Sequence, residues 1–529
     1  MRGARSSRQA ASRHCSSIWA PVRVEPAVAD QTSATPLDRP PGTVVLSLVS
    51  HTNVGKTTLA RTLLRRDVGE VRDAPHVTEA AERHTLVALP DEGLALELWD
   101  TPGFGDSVRL ARQLARRGNP LAWLRDEVWD RWRDRPWWST QRAVRHVMER
   151  SDLVLYLVNA AEPPEVAGHL DAELQVLTLL ERPVIVLLNQ LGAPRPPDDE
   201  SAELDRWRAR TRGSACVRDV LALDAFARCW VQEDTLLGAV AAALAPARQA
   251  AFERLRRAHG ERNREVWRAS MRALAERLAR AALDREVAGD AGWRGRLREW
   301  GSAIGLRREG QPTPREAAMA RLAERLDADI RASTDSLIRL HGLGGHATET
   351  VLLRLAEHYA LAVPLDERKA GVLGGAVGGA LAGLGADLAT GGLTLGGGLL
   401  AGGVLGALGA LGVARGVNLL RGVAQPTLAW TDAVLDELVR SALIGYLAVA
   451  HFGRGRGDWS EGENPAFWAD AVDAAVTSRR EALHALWLRR ERHGEIGELA
   501  DSLAPIVEEI CAGVLARLYP QAAASLASR

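Results

Sequence analysis

Lysine is almost missing from this chain: only Lys56 and Lys369 occur among 67 Lys plus Arg. Positive charge is written elsewhere as arginine, so the two ammonium positions stand out. Cysteine is scarce too, four in 529 residues. Cys15, Cys216, Cys229 and Cys511 are too scattered for a disulfide framework or a CxxC metal site, a usage that suits a reducing cytoplasm. Net charge is zero, 67 basic against 67 acidic residues, which excludes a global field drawing the chain to nucleic acid or anionic lipid. No carboxylate or cysteine constellation accompanies histidines such as His341 and His346, so no histidine-built metal site is expected. Residues 1–42 hold Arg, Ser, Ala and Pro but few acids and no apolar run long enough for a secretory signal. A disordered N-terminal extension is expected there.

The rare Lys56 falls in Ser50-His51-Thr52-Asn53-Val54-Gly55-Lys56-Thr57-Thr58. A buried-strand pattern, Thr43–Val49, runs into this loop, and a helical stretch, Thr57–Arg65, leaves it. Strand, glycine-containing loop and helix with Gly-Lys-Thr is the arrangement that cradles nucleotide phosphates. A slim ammonium on a flexible stem suits that cradle and a broad guanidinium does not. The spacing predicts that backbone N–H groups over Asn53, Val54, Gly55, Thr57 and Thr58 face the phosphates. Lys56 then reaches the β and γ oxygens, and the Thr57 hydroxyl ligates Mg²⁺. Ser50 stands where the pattern usually has its first glycine, which reduces backbone freedom there. Farther on, the alternating strand Leu94–Trp99 ends in Asp100-Thr101-Pro102-Gly103. Asp100 is placed to hold Mg²⁺ through water, and the Gly103 N–H to approach a γ-phosphate.

Asn-Val-Gly-Lys-Thr followed by Asp-Thr-Pro-Gly resembles the Era/TrmE/EngA type of bacterial GTPase. The chain as a whole resembles a bacterial group that joins such a domain to a C-terminal domain of unknown function. The resemblance implies a Mg²⁺-dependent GTP/GDP switch that is slow without a partner or K⁺. It implies a switch threonine at Thr78, with Thr85 the other candidate, ligating Mg²⁺ when the γ-phosphate is present. Phe104 follows Gly103 where Ras-like enzymes carry the glutamine that orients water, so another catalytic element is needed. Asn53 matches the asparagine that helps hold K⁺ in potassium-stimulated members; stabilising the loop is its alternative role. After strand Val184–Leu188 the family expects Asn-Lys-x-Asp, but Asn189-Gln190-Leu191-Gly192 stands there. The carboxylate that reads guanine is missing, which leaves an ATPase open. Asn189 is expected at the purine edge, Gln190 over its face, and Asp224 as a substitute carboxylate.

The expected fold is α/β over 43–245, a P-loop NTPase G domain with a central, mostly parallel sheet. An α-helical domain over 246–529 follows, with strand signals nearly absent and long helical stretches at Phe252–Arg285, Arg315–His341 and Thr427–Ala450. Between Gly103 and strand Leu153–Val158 lie Trp123, Trp129, Trp132, Trp137 and Trp138 among arginines and acids. A packed amphipathic helix is the expectation, and the acids weaken a nucleic-acid reading. Residues 371–414 are Gly-rich and apolar with a single charge, Asp387. Two readings stay open for this helical hairpin: a membrane surface that it enters or docks on, or burial within the bundle. The Arg/Gly stretch His451–Gly457 reads as a connector, a phosphate-contacting arginine or a headgroup anchor. A protein effector is expected among the chain's partners.

Overall fold

A computed structural model of the chain describes residues 42–51, 53–65, 68, 81–116, 135–191, 196–223, 229–287, 314–343, 417–420, 427–452, 466–490, 495–522 and 526. Thr78, Asp224, Gly192, the first three tryptophans of the Trp/Arg segment, the Gly-rich stretch 371–414 and the arginines after Phe452 lie outside these residues.

Strand β1 (Gly42–Ser50) is mostly apolar, with only Thr43, Ser47 and Ser50 polar, and is buried on both faces from Thr43 onward. A strand with no polar face must be covered on both sides, which places it inside a parallel sheet rather than at an edge. The sheet continues with β2 (Glu82–Leu89), β3 (Leu94–Asp100), β4 (Leu153–Asn159), β5 (Val184–Asn189) and β6 (Val217–Ala222), in the order β2-β3-β1-β4-β5-β6. Only β2 runs antiparallel to its neighbour. The expected mostly parallel sheet is therefore present. Because β1 is flanked by β3 and β4, the chain leaves β1 at the point where strand order reverses. Open α/β sheets form their ligand crevice at that point, beyond the carboxyl ends of the strands. The ends of β1, β3 and β5 there are Ser50, Asp100 and Asn189.

Helices α1 (Lys56–Leu64), α2 (Ser107–Ala115), α3 (Arg135–Arg150), α4 (Leu170–Leu179), α5 (Pro197–Thr211) and α6 (Trp230–Ala243) accompany the sheet. One face buries Leu46, Leu48, Leu59 and Leu98 against Leu236, Leu237 and Val240 of α6. The other buries Tyr156 and Val158 against Leu110, Val144, Leu174 and Leu177.

Helix α7 (Pro246–Leu283) has 38 residues, about 57 Å at 1.5 Å per residue. That reach lets it serve two cores. Phe252 and Leu255 lie in the sheet-face core, whereas Met271, Leu274 and Leu278 lie in the helical core. The helical core also takes residues from α8 (Pro314–Leu340), α9 (Asp432–Ala450), α10 (Ala466–Ser478), α11 (Arg480–Arg489) and α12 (Ile496–Leu518).

One local reading changes. Residues Thr427–Trp430 form a strand rather than the start of a helix, and with Glu286–Val287 and Val417–Leu420 they make a small antiparallel sheet. The break comes at Thr431, which has extended backbone and accepts from the Val434 N–H, capping α9. Strands of two to four residues are too short for a period-2 pattern to stand out from an apolar helix. Among the described residues, no helix is long and apolar enough to cross a membrane.

Candidate functional site

Between β1 and α1 the backbone turns through left-handed geometry at Asn53 (φ 63°) and Gly55 (φ 92°). Helix α1 then starts at Lys56, with its N-terminal end at the mouth of the crevice. Glycine is needed at 55 for space as well as for φ. A Cβ there would lie 2.7 Å from Asn189 Nδ2. That amide nitrogen donates to the Val54 carbonyl at 2.6 Å, and Asn189 is fully buried. Asn189 thus braces the phosphate loop from the end of β5, while Gln190 beside it holds φ at 59°.

Lys56 is buried, and its Nζ donates to Ser50 Oγ at 3.1 Å. Burial lowers the lysine's pKa, opposed by the negative fields of Asp100 and Glu173. Ser50 still belongs to β1 and is not among the residues with positive φ, so this position does not require glycine. The serine instead supplies an oxygen for the ammonium.

Across the crevice, the Thr57 hydroxyl donates to Asp100 Oδ2 at 2.5 Å. The other oxygen, Asp100 Oδ1, is buried without a hydrogen-bond partner. Burial raises the Asp100 carboxyl from 3.8 to about 6, against the lowering effects of Lys56 and the Thr57 hydrogen bond. A buried carboxylate oxygen with nothing to bind, next to a threonine hydroxyl, is a donor set that fits Mg²⁺, a hard cation needing one or two protein oxygens beside substrate phosphates.

The turn after Asp100 is pinned to β1 and α3. Thr101 Oγ1 donates to the Leu48 carbonyl at 2.6 Å, and the Phe104 N–H donates to the Ser50 carbonyl at 2.9 Å. The Gly105 and Asp106 N–H groups donate to Thr140 Oγ1 at 2.9 and 3.1 Å. Gly103 sits between these ties. The Phe104 side chain is fully buried, so it contributes packing and no polar group. Val54 and Thr58 are buried in the loop and first turn, whereas Asn53 is exposed. Thr85, the alternative switch threonine, lies within β2. Of the Trp/Arg segment, Trp137 is buried in α3 with the Arg109 guanidinium 4.4 Å from its ring centroid.

Sequence reasoning passed over one group here. Glu173, on α4, is completely buried. Its Oε1 lies 2.9 Å from His51 Nδ1 and accepts from Ser107 Oγ at 3.1 Å, and its Oε2 accepts from Tyr156 OH at 2.6 Å. His51 also stacks on His169, ring centroids 4.4 Å apart. The signal was present: in Leu170-Asp171-Ala172-Glu173-Leu174, helical spacing puts Glu173 on the same face as Leu170, Leu174 and Leu177.

A family model described as 50S ribosome-binding GTPase matches residues 45–190, and a model described as a domain of unknown function, DUF3482, matches residues 215–506. No curated protein matches the chain. Among solved structures, Era in complex with MgGDPNP and nucleotides 1506–1542 of 16S ribosomal RNA aligns at 17% identity, TM-score 0.29, over 39% of this chain and 57% of its own. The chain thus spans little more than half of that protein. An Era variant from Aquifex aeolicus bound to GDP and tetrafluoroaluminate aligns at 15% identity, TM-score 0.29, over 55% of this chain and 89% of its own. A member of an oligomerised bacterial dynamin pair aligns at 10% identity, TM-score 0.24, over 91% and 69%. Scores this low transfer no function from those proteins. With one model over the sheet domain and the other over more than half of its length, the chain carries a P-loop GTPase domain and belongs to the DUF3482 family.

Proposed function

We propose that this protein is a cytoplasmic GTPase that cycles between GTP and GDP states with Mg²⁺. The observation that carries the reading is the pairing of buried Lys56 with an adjacent Asp100 whose Oδ1 has no partner. Lys56 and the first-turn amides of α1 bind the polyphosphate. Thr57 and Asp100, with Thr78, hold the cation. The Gly103 N–H meets the γ-phosphate, and Asn189, with Gln190 and Asp224, faces the base. Mg²⁺ bound there neutralises phosphate charge. The reaction is in-line attack of water on the γ-phosphorus. With Phe104 buried, no side chain at that position orients the water, so turnover is slow without a partner.

Calorimetric titration of GTP, GDP and ATP in magnesium buffer, with Lys56→Ala as control, tests the reading. Binding of both guanine nucleotides, lost in Lys56→Ala, is expected. No uptake of any purine triphosphate by folded protein refutes it, and preference for ATP turns it into an ATPase. Faster turnover in K⁺ than in Na⁺, abolished in Asn53→Ala, assigns the monovalent cation to Asn53.

The reading extends to a membrane surface contacted by residues 371–414. Its support is compositional: a Gly-rich apolar stretch with one charge. Liposome flotation with GTP, GDP and no nucleotide tests it, and absence of flotation in all three states removes it.

A further inference from the structure

The Glu173 carboxylate lies outside the phosphate, cation and base contacts just described. It is fully buried, and it joins three separate elements. Oε2 is fixed to the sheet by Tyr156 of β4, at 2.6 Å. Burial and the nearby Glu173 charge push the Tyr156 phenol well above its ordinary pKa, so it stays a donor. Oε1 faces two segments beside the nucleotide. One is the phosphate loop, through His51; the other is Ser107, the first residue of α2, four positions past Gly103. A single carboxylate, held through its other oxygen by the sheet, thus bridges loop and helix start. The same turn is already tied to β1 through Phe104 and to α3 through Thr140. The Ser107 bond adds a tie to α4.

An ionised carboxylate in the interior is costly unless its acceptors are filled. Filling them with one donor from the sheet and two groups from nucleotide-facing segments makes their relative position matter. If α2 moves away from the phosphate loop, the buried oxygen loses a partner.

We propose that Glu173 is a positioning residue for the γ-phosphate: through Ser107 and His51 it locks the Asp-Thr-Pro-Gly turn against the phosphate loop, so that the Gly103 N–H is preset for GTP. This inference rests on the GTPase reading above. It makes GTP affinity depend on Glu173 more than GDP affinity does, because GDP has no group for Gly103 to meet. Glu173 also contributes to the field at Lys56, which acts on both nucleotides, whereas Ser107→Ala leaves that charge untouched.

The test is the ratio of GTP to GDP affinity, by calorimetry in magnesium buffer, for the full chain and for Glu173→Gln, Ser107→Ala and the double variant. Tyr156 holds the remaining oxygen in Glu173→Gln, so the new amide faces Ser107 and His51. Each single variant is expected to lower the ratio about fivefold to tenfold, and the double variant to lower it no further. Single-turnover hydrolysis is expected to fall by about tenfold while GDP affinity stays within twofold. Unchanged ratios in both single variants overturn the inference while leaving the GTPase reading intact. A fall in Glu173→Gln alone overturns it as well, because the effect then acts through Lys56. If Glu173→Gln does not fold, Ser107→Ala decides on the same ratio. Failure of the wild-type chain to bind either nucleotide removes the GTPase reading and the inference together.

Discussion

Gly55→Ala tests the phosphate loop at its tightest point. Two costs can be worked out separately. The backbone at residue 55 has φ 92°, and an L-residue with a Cβ pays about 1–2 kcal/mol to enter left-handed geometry. The new Cβ also meets Asn189 Nδ2 at 2.7 Å, closer than real Cβ contacts come. Asn189 is fully buried, so it cannot swing out to water. Moving it breaks the 2.6 Å bond to the Val54 carbonyl and leaves polar groups unsatisfied, at about 1–3 kcal/mol. The variant should therefore lose about 2–5 kcal/mol in urea unfolding. A loop displaced at this point should bind GTP and GDP at least about tenfold more weakly, the equivalent of about 1.4 kcal/mol. A cycle with Asn189→Ala separates the two costs. In the Asn189→Ala background the clash is gone, so Gly55→Ala should cost only the backbone term. A Gly55→Ala chain within about 0.5 kcal/mol of wild type, or an equal cost in both backgrounds, would falsify the reasoning.

Burial, with Arg150 and Arg142 nearby, lowers His146 from 6.5 to about 3. The unfolded chain takes up a proton below about pH 6.5 that the folded chain refuses, so stability falls as pH falls from there toward 3. At pH 4.5 the loss is about 3 kcal/mol. His146→Gln, which keeps a partner for Ser47 Oγ, should flatten that part of the pH dependence in urea unfolding; an unchanged slope refutes it. Arg65, the C-cap of α1, donates to Asn263 Oδ1 at 2.7 Å and lies 3.7 Å from the buried Glu233 on α6. Arg65→Met should cost about 2 kcal/mol, and a stability equal to wild type would show that the pair contributes nothing. Asp224→Asn should lower the ratio of GTP to ATP affinity; an unchanged ratio rejects Asp224 as the base-reading carboxylate.

The nucleotide end of this protein could be read locally. Val44 to Val49 is apolar on both faces, Gly55 and Lys56 sit at a strand-to-helix turn, and Asp100 ends an alternating strand. Each pattern spans a few residues, and backbone preference with side-chain chemistry is enough to interpret it. The same holds for the long helices, whose periodicity repeats over many turns. Short strands escaped because Thr427–Trp430 has too few residues to show alternation, and it owes its structure to pairing with Glu286–Val287 and Val417–Leu420. Ser50 looked like a weakened glycine position until the fold set its hydroxyl against Lys56.

Glu173 and His51 are 122 positions apart, and nothing in either neighbourhood names the other. Helical spacing puts Glu173 on the inward face with Leu170 and Leu174 but carries no information about which groups wait there. Local pattern specifies which face of an element avoids water. Which donors meet a buried carboxylate depends on strand order and on how α2, α4 and the phosphate loop pack around β4, contacts that arise only when distant segments exclude solvent together.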